Sequence, residues 1–146
     1  MDRDALLKAI YLFRDATSDD LAGLADIAAR REYLQGDLVF SEGDEADAMF
    51  IVELGTVDMV AKGKEQVFAT YGTGQAFGEV AYFTRGKRSG SARTREVSRI
   101  LRLPFDRLDA LLAGRAALAT SFYRNACGFL ARHLRGMAVE LDRRYF

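Results

Sequence analysis

The sequence contains few of the residues that form disulfide bonds, metal centres or catalytic clusters. Its 146 residues include one cysteine, one histidine, one proline and no tryptophan. A lone cysteine, Cys127, excludes an internal disulfide, a zinc knuckle and a CxxC redox pair. With His133 as the sole histidine, no Ser-His-Asp, Cys-His or metal-assisted hydrolytic arrangement is credible. We therefore expect no enzyme, no catalytic residue and no metal site.

The sequence also lacks an excess of charge of one sign and a long apolar run. It has 21 basic and 21 acidic residues and a formal net charge of zero, which argues against direct DNA binding by this chain. No apolar run approaches the roughly 18 residues of a transmembrane helix. Residues 1–4 lack the basic start and apolar stretch of a signal peptide. We expect a cytoplasmic protein without a membrane partner.

Hydrophobic residues make up 49% of the sequence, which is enough to form the core of one domain of ordinary size. The periodicity divides this single predicted domain, residues 1–146, into three parts. Residues 1–30 have a helical spacing, residues 31–104 have the spacing of short strands, and residues 105–146 are helical again.

The N-terminal part predicts two short helices. Asp4 is the expected N-cap of the first helix. The second helix begins near Ser18, where Asp19 and Asp20 suit the positive end of a helix. The apolar positions of the second helix share one face, and they are Leu21, Leu24, Ile27 and Ala28.

In the middle part, short apolar runs alternate with turn signals about every 8–12 residues, a pattern typical of a small all-β barrel or sandwich. Residues 57–61 and 66–71, joined across Gly63, have the pattern of a β-hairpin. Residues 99–103 alternate as a closing strand. Pro104 then ends the pairing, because it has no N–H to donate.

The C-terminal part predicts a short helix over 105–112, a break at Gly114 and a long helix from about 115 to 145. An apolar stripe along the long helix has steps of a heptad, and it consists of Tyr123, Cys127, Leu130, Leu134, Met137 and Leu141. This heptad stripe favours a homodimer through helix 115–145, and the alternative is that it packs back onto the β part. On the stripe, Cys127 is expected to be a small buried apolar group, and His133 beside it a surface or interface residue.

The chemically informative stretch is residues 72–92. Its glycines are dense for a β segment, and glycine lets backbone N–H groups turn inward and approach a ligand. Successive inward amides form an anion-binding nest, and a turn after Gly78 would present a helix N-terminus to the same point. Arg88 can close on a phosphate with its guanidinium. Glu79 would be repelled there unless it serves another group, such as a sugar hydroxyl, so these residues predict a phosphorylated, hydroxyl-bearing small ligand.

This stretch resembles the phosphate-binding cassette of the cyclic nucleotide-binding domain family. The matching segments are residues 77–81 and 88–92, and the turn glycines upstream also fall where the family keeps them (Gly36, Gly43, Gly55, Gly72 and Gly74). The resemblance extends over nearly the whole chain. It implies a mainly β fold with flanking helices: a jelly-roll-like, double-stranded β-helix called a β-roll, with eight strands, N-terminal helices and a long C-terminal helix.

The resemblance also implies a ligand, cAMP or cGMP, and no cofactor. By this resemblance Arg88 pairs with the cyclic phosphate, and Glu79 accepts a hydrogen bond from the ribose 2′-OH. Ser91 occupies the position of a hydroxyl that touches the phosphate or the guanine amino group, and the final helix covers the base. Backbone amides complete the phosphate site, and they belong to Gly78, Val80, Ala81 and Ser89.

Three positions depart from the family pattern: Lys87 replaces a proline, Gly90 an alanine or serine, and Ala92 a β-branched residue. We expect these changes to loosen the loop, because glycine loses more entropy on ordering. Two functions remain open. The first is a cyclic nucleotide sensor that transmits occupancy through its C-terminal helix to an unknown output protein or an output domain outside this chain. The second is a ligand-free module for dimerisation or protein interaction.

Overall fold

The computed structural model describes residues 2–61, 63 and 65–145. Two helices and a 3-10 turn come first: α1 (Arg3–Lys8), the turn Tyr11–Phe13 and α2 (Ser18–Ile27). The strands are β1 (Ala29–Tyr33), β2 (Leu38–Phe40), β3 (Ala48–Leu54), β4 (Thr56–Val60), β5 (Val67–Gly72), β6 (Ala76–Phe77), β7 (Ser91–Thr94) and β8 (Ser98–Pro104). Helix α3 (Val80–Thr84) lies between β6 and β7, and α4 (Phe105–Ala113) and α5 (Ala116–Tyr145) follow β8.

The described strands form two antiparallel four-stranded sheets, in the orders β1-β8-β3-β6 and β2-β7-β4-β5. The pairs β1–β8, β2–β7, β3–β6 and β4–β5 are those of one long hairpin wound over itself, which is the winding of a jelly roll. The predicted mainly β fold with a β-roll and flanking helices is confirmed. The predicted hairpin is β4–β5, with Val57 opposite Tyr71.

The central strands of the first sheet, β3 and β8, carry buried side chains on both faces, and these side chains belong to two apolar clusters. Along β8, Ile100 points into the roll, whereas Leu101 and Leu103 belong to the cluster between the sheet and the helices. This follows from the alternation of side chains along a strand. The inner cluster comprises Tyr33, Ala48, Phe50, Val52, Val57, Phe77, Ala92 and Ile100.

The helix starts correct one prediction. The N-cap of α1 is Asp2, whose carboxylate accepts a hydrogen bond from the Ala5 amide at 2.7 Å, whereas Asp4 lies in the first turn. An N-cap needs an extended backbone, and Asp2 has it. Helix α2 begins at the predicted residue and is capped by Thr17 in a capping box with Asp20.

Helix α5 divides into a packed first half and an exposed second half. Leu118, Phe122 and Ala126 are buried against the rest of the chain. From Leu130 to residue 144 every described side chain is exposed. The heptad stripe is exposed along its whole length, so the alternative that it packs back onto the β part is wrong. Cys127 is likewise exposed in the single chain, because the neighbouring face of the helix is the one that contacts the domain, so its predicted burial depends on the pairing of the stripe.

No helix within residues 2–61, 63 and 65–145 is both long and apolar enough to span a bilayer.

Candidate functional site

Most of the predicted site residues line one cavity of about 400 Å³. The predicted residues among its lining are Gly78, Glu79, Val80, Ala81, Arg88 and Ser89. An apolar wall opposite them comes from β2, β4 and β5, and it consists of Phe40, Met59, Phe68 and Tyr71. The structure therefore brings together six of the seven residues that the sequence predicted.

Ser91, the seventh residue, lies elsewhere. It is the first residue of β7, and its hydroxyl accepts a hydrogen bond from the Glu42 amide at 2.9 Å. It borders a different cavity, together with Arg93. The structure thus places this hydroxyl where it holds the β2–β3 connection, away from the other six residues.

The guanidinium of Arg88 is held inside the protein. Arg88 is 6% exposed. Its Nη1 donates to the Gly78 carbonyl at 3.2 Å, and its Nη2 donates to the Ala48 carbonyl. Its Cζ lies 4.1 Å from the centroid of the Phe40 ring, a cation–π distance. Nε has no hydrogen-bond partner in the described part of the chain.

The charge of Arg88 is not neutralised by a direct ion pair with any described carboxylate. Burial lowers the pKa of this guanidinium, and the more distant Asp47 and Asp44 partly oppose that shift. A buried charge without a counter-ion is expensive. The site therefore has the electrostatics of a receptor for an anion.

Gly78 is required by the position of Arg88. Its φ is +76°, in the left-handed region, and a Cβ added there would lie 2.8 Å from Nη1 of Arg88. A side chain at residue 78 would be strained by the backbone and would also strike the guanidinium. The guanidinium of Arg88 can therefore occupy this position only because residue 78 is a glycine.

Several backbone donors border the cavity without a backbone partner. Among the described residues, none of the amides of Gly78, Val80, Ala81 and Ser89 donates a backbone hydrogen bond. The Val80 and Ala81 amides are unpaired because they open α3, where no earlier turn supplies an acceptor. Unpaired amides beside one cavity are suited to an anion.

The segment that contains Arg88 is hydrogen-bonded to the β2–β3 connection. The Arg88 amide donates to the Asp44 carbonyl at 2.8 Å, and the Arg88 carbonyl accepts from the Gly43 amide at 2.9 Å. The Ala46 amide donates to the Gly86 carbonyl at 3.1 Å. These bonds pair residues 86–88 with the β2–β3 connection much as two strands pair, with Lys87 opposite Glu45.

Glu79 lies where two cavities meet. It borders the cassette cavity and a second one of about 440 Å³ whose lining includes Tyr11, Phe129 and His133. Burial raises the pKa of the Glu79 carboxyl, and a hydrogen bond from its own backbone amide opposes the shift. The carboxyl is therefore partly desolvated and is suited to accept a hydrogen bond from a hydroxyl group.

The apolar wall of the cavity was not predicted from the sequence. Phe40 comes from β2, and Met59, Phe68 and Tyr71 come from the β4–β5 hairpin. Alternation along a strand gives the face of a residue relative to its neighbours. It does not say which strands of a roll will border the cassette, so no signal in the sequence marked these four residues.

Comparison with known proteins agrees with this geometry. A family model described as "Cyclic nucleotide-binding domain" matches residues 30–115. The chain is 31% identical over 139 residues to the cyclic AMP receptor protein of Thermus thermophilus, covering 93% of this chain and 62% of that protein. It is 30% identical over 109 residues to the cAMP-dependent protein kinase regulatory subunit of Yarrowia lipolytica, covering 75% of this chain and 29% of that protein.

A solved structure is also similar. The N-terminal domain of a transcriptional regulator from Streptomyces coelicolor superposes with a TM-score of 0.82 at 25% sequence identity, covering 90% of this chain and 94% of that chain. The chain spans less than two thirds of the length of the two curated relatives named above.

Proposed function

The chain belongs to the cyclic nucleotide-binding domain family, which confirms the resemblance, and we propose that it is a sensor module that binds cAMP or cGMP and transmits occupancy through α5. The family is a ligand-binding regulatory domain rather than a catalytic one. The output is a separate protein or a domain outside this chain. The two relatives are named for cAMP, which makes cAMP the first ligand to test.

The observation that carries this proposal is the buried, uncompensated guanidinium of Arg88. A cyclic phosphate is a monoanion, and it supplies the counter-ion that no described carboxylate supplies directly. The free Nε–H and the unpaired amides beside the cavity provide the charge-assisted hydrogen bonds such an anion prefers. Glu79, desolvated at the same cavity, accepts a hydrogen bond from the ribose hydroxyl.

Transmission rests on the contact between the cassette and α5. Helix α3 begins immediately after Glu79. The rings of Tyr82 and Phe83 on α3 lie 5.4 and 5.6 Å from the ring of Phe122 on α5. A ligand that binds one position of α3 more tightly than another will therefore shift the equilibrium between the corresponding positions of α5. The size of that shift is set by the difference in affinity.

Titration calorimetry with cAMP and with cGMP tests the binding. We expect saturable binding by the wild type. Arg88→Ala should weaken it by roughly 30-fold or more, because truncating one partner of a buried charge pair costs at least about 2 kcal/mol. Arg93→Ala is the matched control, because Arg93 is exposed and borders a different cavity. Absence of heat from both nucleotides with the wild type would refute the sensor and favour the ligand-free interaction module.

We also propose that the heptad stripe pairs with the stripe of a second copy of the chain. The stripe is apolar, spaced as in a coiled coil and open to solvent, with Leu134 67% exposed. Sedimentation equilibrium should give a dimer for the wild type and a monomer for Leu134→Glu. Val139→Glu, at an exposed apolar position off the stripe, should leave the dimer intact. A monomeric wild type at high concentration would exclude the pairing.

A further inference from the structure

A further cavity, of about 630 Å³, lies on the other side of Arg88 and Phe40, which border both it and the cassette cavity. Its remaining walls come from the edge strand β1, from β8 and from the β2–β3 connection. We call it the lumen cavity. Arg88 is the only predicted site residue among its described lining, so a nucleotide in the cassette cavity does not account for it.

The floor of the lumen cavity is the inner face of the roll. Tyr33 and Phe50 line the cavity and belong to the inner apolar cluster. Val39 and Phe40 also line it and pack against the same cluster. This floor suits an apolar group of a ligand, because ligand cavities of this size are mostly apolar and carry a few polar groups for orientation.

One wall of the lumen cavity is basic. Arg31 shares the inner face of β1 with Tyr33, because alternate residues of a strand point to the same side. The Cζ atom of Arg31 accordingly lies 4.9 Å from the centroid of the Tyr33 ring. On β8, Arg102 is paired with Asp47 at 3.1 Å. Arg31 has no ion pair with any described carboxylate, so its guanidinium is available to a carboxylate group of a ligand.

A second wall is acidic and comes from the β2–β3 connection. Its carboxylates are those of Asp44, Glu45 and Asp47. Asp47 is paired with Arg102, and the Asp44 carboxylate accepts a backbone amide hydrogen bond at 3.0 Å. The Glu45 carboxylate has no ion pair with a described residue. This wall therefore offers one carboxylate to an ammonium group.

The charges of the two walls restrict the class of ligand. A simple anion would be attracted by Arg31 and repelled by three carboxylates, and a simple cation would be repelled by Arg31 and by the buried Arg88. A neutral apolar molecule would cover the charges of Arg31 and Glu45 without pairing them, which is unfavourable. An amino acid with an apolar side chain satisfies all three surfaces, because it carries a carboxylate, an ammonium group and an apolar group on one carbon atom.

We propose that the lumen cavity is a second ligand site, and that it binds a small zwitterion, an amino acid with an apolar side chain. Arg31 binds the carboxylate, Glu45 binds the ammonium group, and the apolar floor holds the side chain. The inference goes beyond the proposed function, because none of these three contacts requires a cyclic nucleotide.

The test compares three probes that differ in charge. L-Leucine carries both charges, N-acetyl-L-leucine lacks the ammonium group, and L-leucinamide lacks the carboxylate. Each is titrated into the wild-type chain and followed by amide NMR. We expect saturable shifts in β1 and the β2–β3 connection with L-leucine below about 10 mM, and roughly fivefold weaker binding of each analogue, since each loses one ion pair.

Two substitutions assign the contacts. Arg31→Gln should weaken L-leucine by roughly fivefold without weakening L-leucinamide, which has no carboxylate to lose. Glu45→Gln should weaken L-leucine by a similar factor without weakening N-acetyl-L-leucine, which has no ammonium group. Arg93→Gln and Glu42→Gln are the matched controls, because both residues border a different cavity, and both variants should bind all three probes as the wild type does.

The possible failures are distinct. Absence of saturable shifts with L-leucine would overturn the site and leave Arg31 as a charge that protects the free edge of β1. Equal affinity for the three probes would overturn the zwitterion, and L-leucine binding that survives both Arg31→Gln and Glu45→Gln would overturn the location. A chain that binds L-leucine as expected but no cyclic nucleotide would refute the proposed function and leave this inference standing.

Discussion

The two halves of α5 are parts of one continuous helix in different surroundings. In the first half, Phe122 and Ala126 are buried, and Asn125 between them is buried with hydrogen bonds to the N-terminal turn. In the second half, Leu134 and Met137 are exposed although they are just as apolar. Helical spacing of apolar residues therefore indicates that a face will be covered, without indicating which partner will cover it.

The difference comes from what lies opposite each half. The first half faces the 3-10 turn and α3, whose rings surround Phe122. The second half extends past these elements, and its side chains up to residue 144 are exposed. The domain thus anchors α5 at one end and leaves the other free to meet a partner. Four substitutions test this division, in order of expected effect.

The largest effect is expected for Phe122→Ala, at the centre of the packed half. The ring of Phe122 lies 5.8, 5.4 and 5.6 Å from those of Phe13, Tyr82 and Phe83. Its removal leaves a cavity, so the free energy of unfolding should fall by about 3–5 kcal/mol. Guanidinium chloride denaturation followed by circular dichroism measures the loss, and a change below about 1 kcal/mol would contradict the packing.

A smaller effect is expected for Asn125→Ala. The Asn125 amide nitrogen donates to the Leu12 carbonyl at 3.4 Å and to Asp15 Oδ2 at 3.1 Å. Deletion leaves the buried Leu12 carbonyl without this donor, which should cost about 1–3 kcal/mol, whereas the exposed Asp15 carboxylate can be hydrated. The neighbouring Arg124→Ala, at an exposed position, is the control in the same denaturation experiment. Equal losses for the two variants would show that the hydrogen bonds of Asn125 are not responsible.

The attachment of the packed half should depend on pH through Asp20. Burial acts to raise the pKa of Asp20, but hydrogen bonds from the Thr17 backbone, Arg115 and the Thr17 hydroxyl outweigh it, so this pKa is lowered. Because the folded-state pKa lies below the unfolded value near 4, this contribution to stability is present above about pH 4 and is lost as the pH falls through the folded-state pKa.

Asp20→Asn should therefore flatten the decline in Tm below pH 4 and lower Tm at pH 7. The comparison is with Asp142→Asn in the exposed half, measured by calorimetry across the same pH range. Asp142 is exposed, and its substitution should leave the decline in Tm below pH 4 as it is in the wild type. If Asp20→Asn and the wild type decline in parallel, the Asp20–Arg115 contact has no part in the acid sensitivity.

The smallest effect is expected for Leu134→Ala. In a dilute, monomeric sample the free energy of unfolding should change by less than about 0.5 kcal/mol, because the side chain has no packed surroundings to lose. The same denaturation experiment is repeated at high protein concentration, where pairing of the stripe would make the loss larger. A larger loss that does not depend on concentration would show that this half packs within its own chain.

The fold could be predicted where the backbone follows a simple period or a glycine signal. The β4–β5 hairpin, the break at Gly114 and the long final helix were all visible as spacing. Gly78 and Arg88 were found through their order along the chain, and the structure places them in contact through the Gly78 carbonyl. Such features are local in sequence, so a linear pattern can record them.

The errors concern properties that are not local. Asp4 is as good an N-cap residue as Asp2, and the backbone conformation selects Asp2. Cys127 lies on an apolar stripe that no described part of its own chain covers, so whether it is buried depends on a second chain. Phe68 would have followed the alternation of β5 if the strand were regular, and a bulge against β4 moved it.

The sequence alone determined the class of fold and the chemical character of the site, because strand and helix periods, turn glycines and one cassette arginine depend on neighbours along the chain. The tertiary structure decided which residues share the cavity, why Arg88 is a buried cation without a carboxylate partner, and which half of α5 is covered. These depend on contacts between segments far apart in sequence, such as Ala48 with Arg88 and Phe13 with Phe122. Burial and unpaired charge are properties of such contacts, and they arise only when the roll closes.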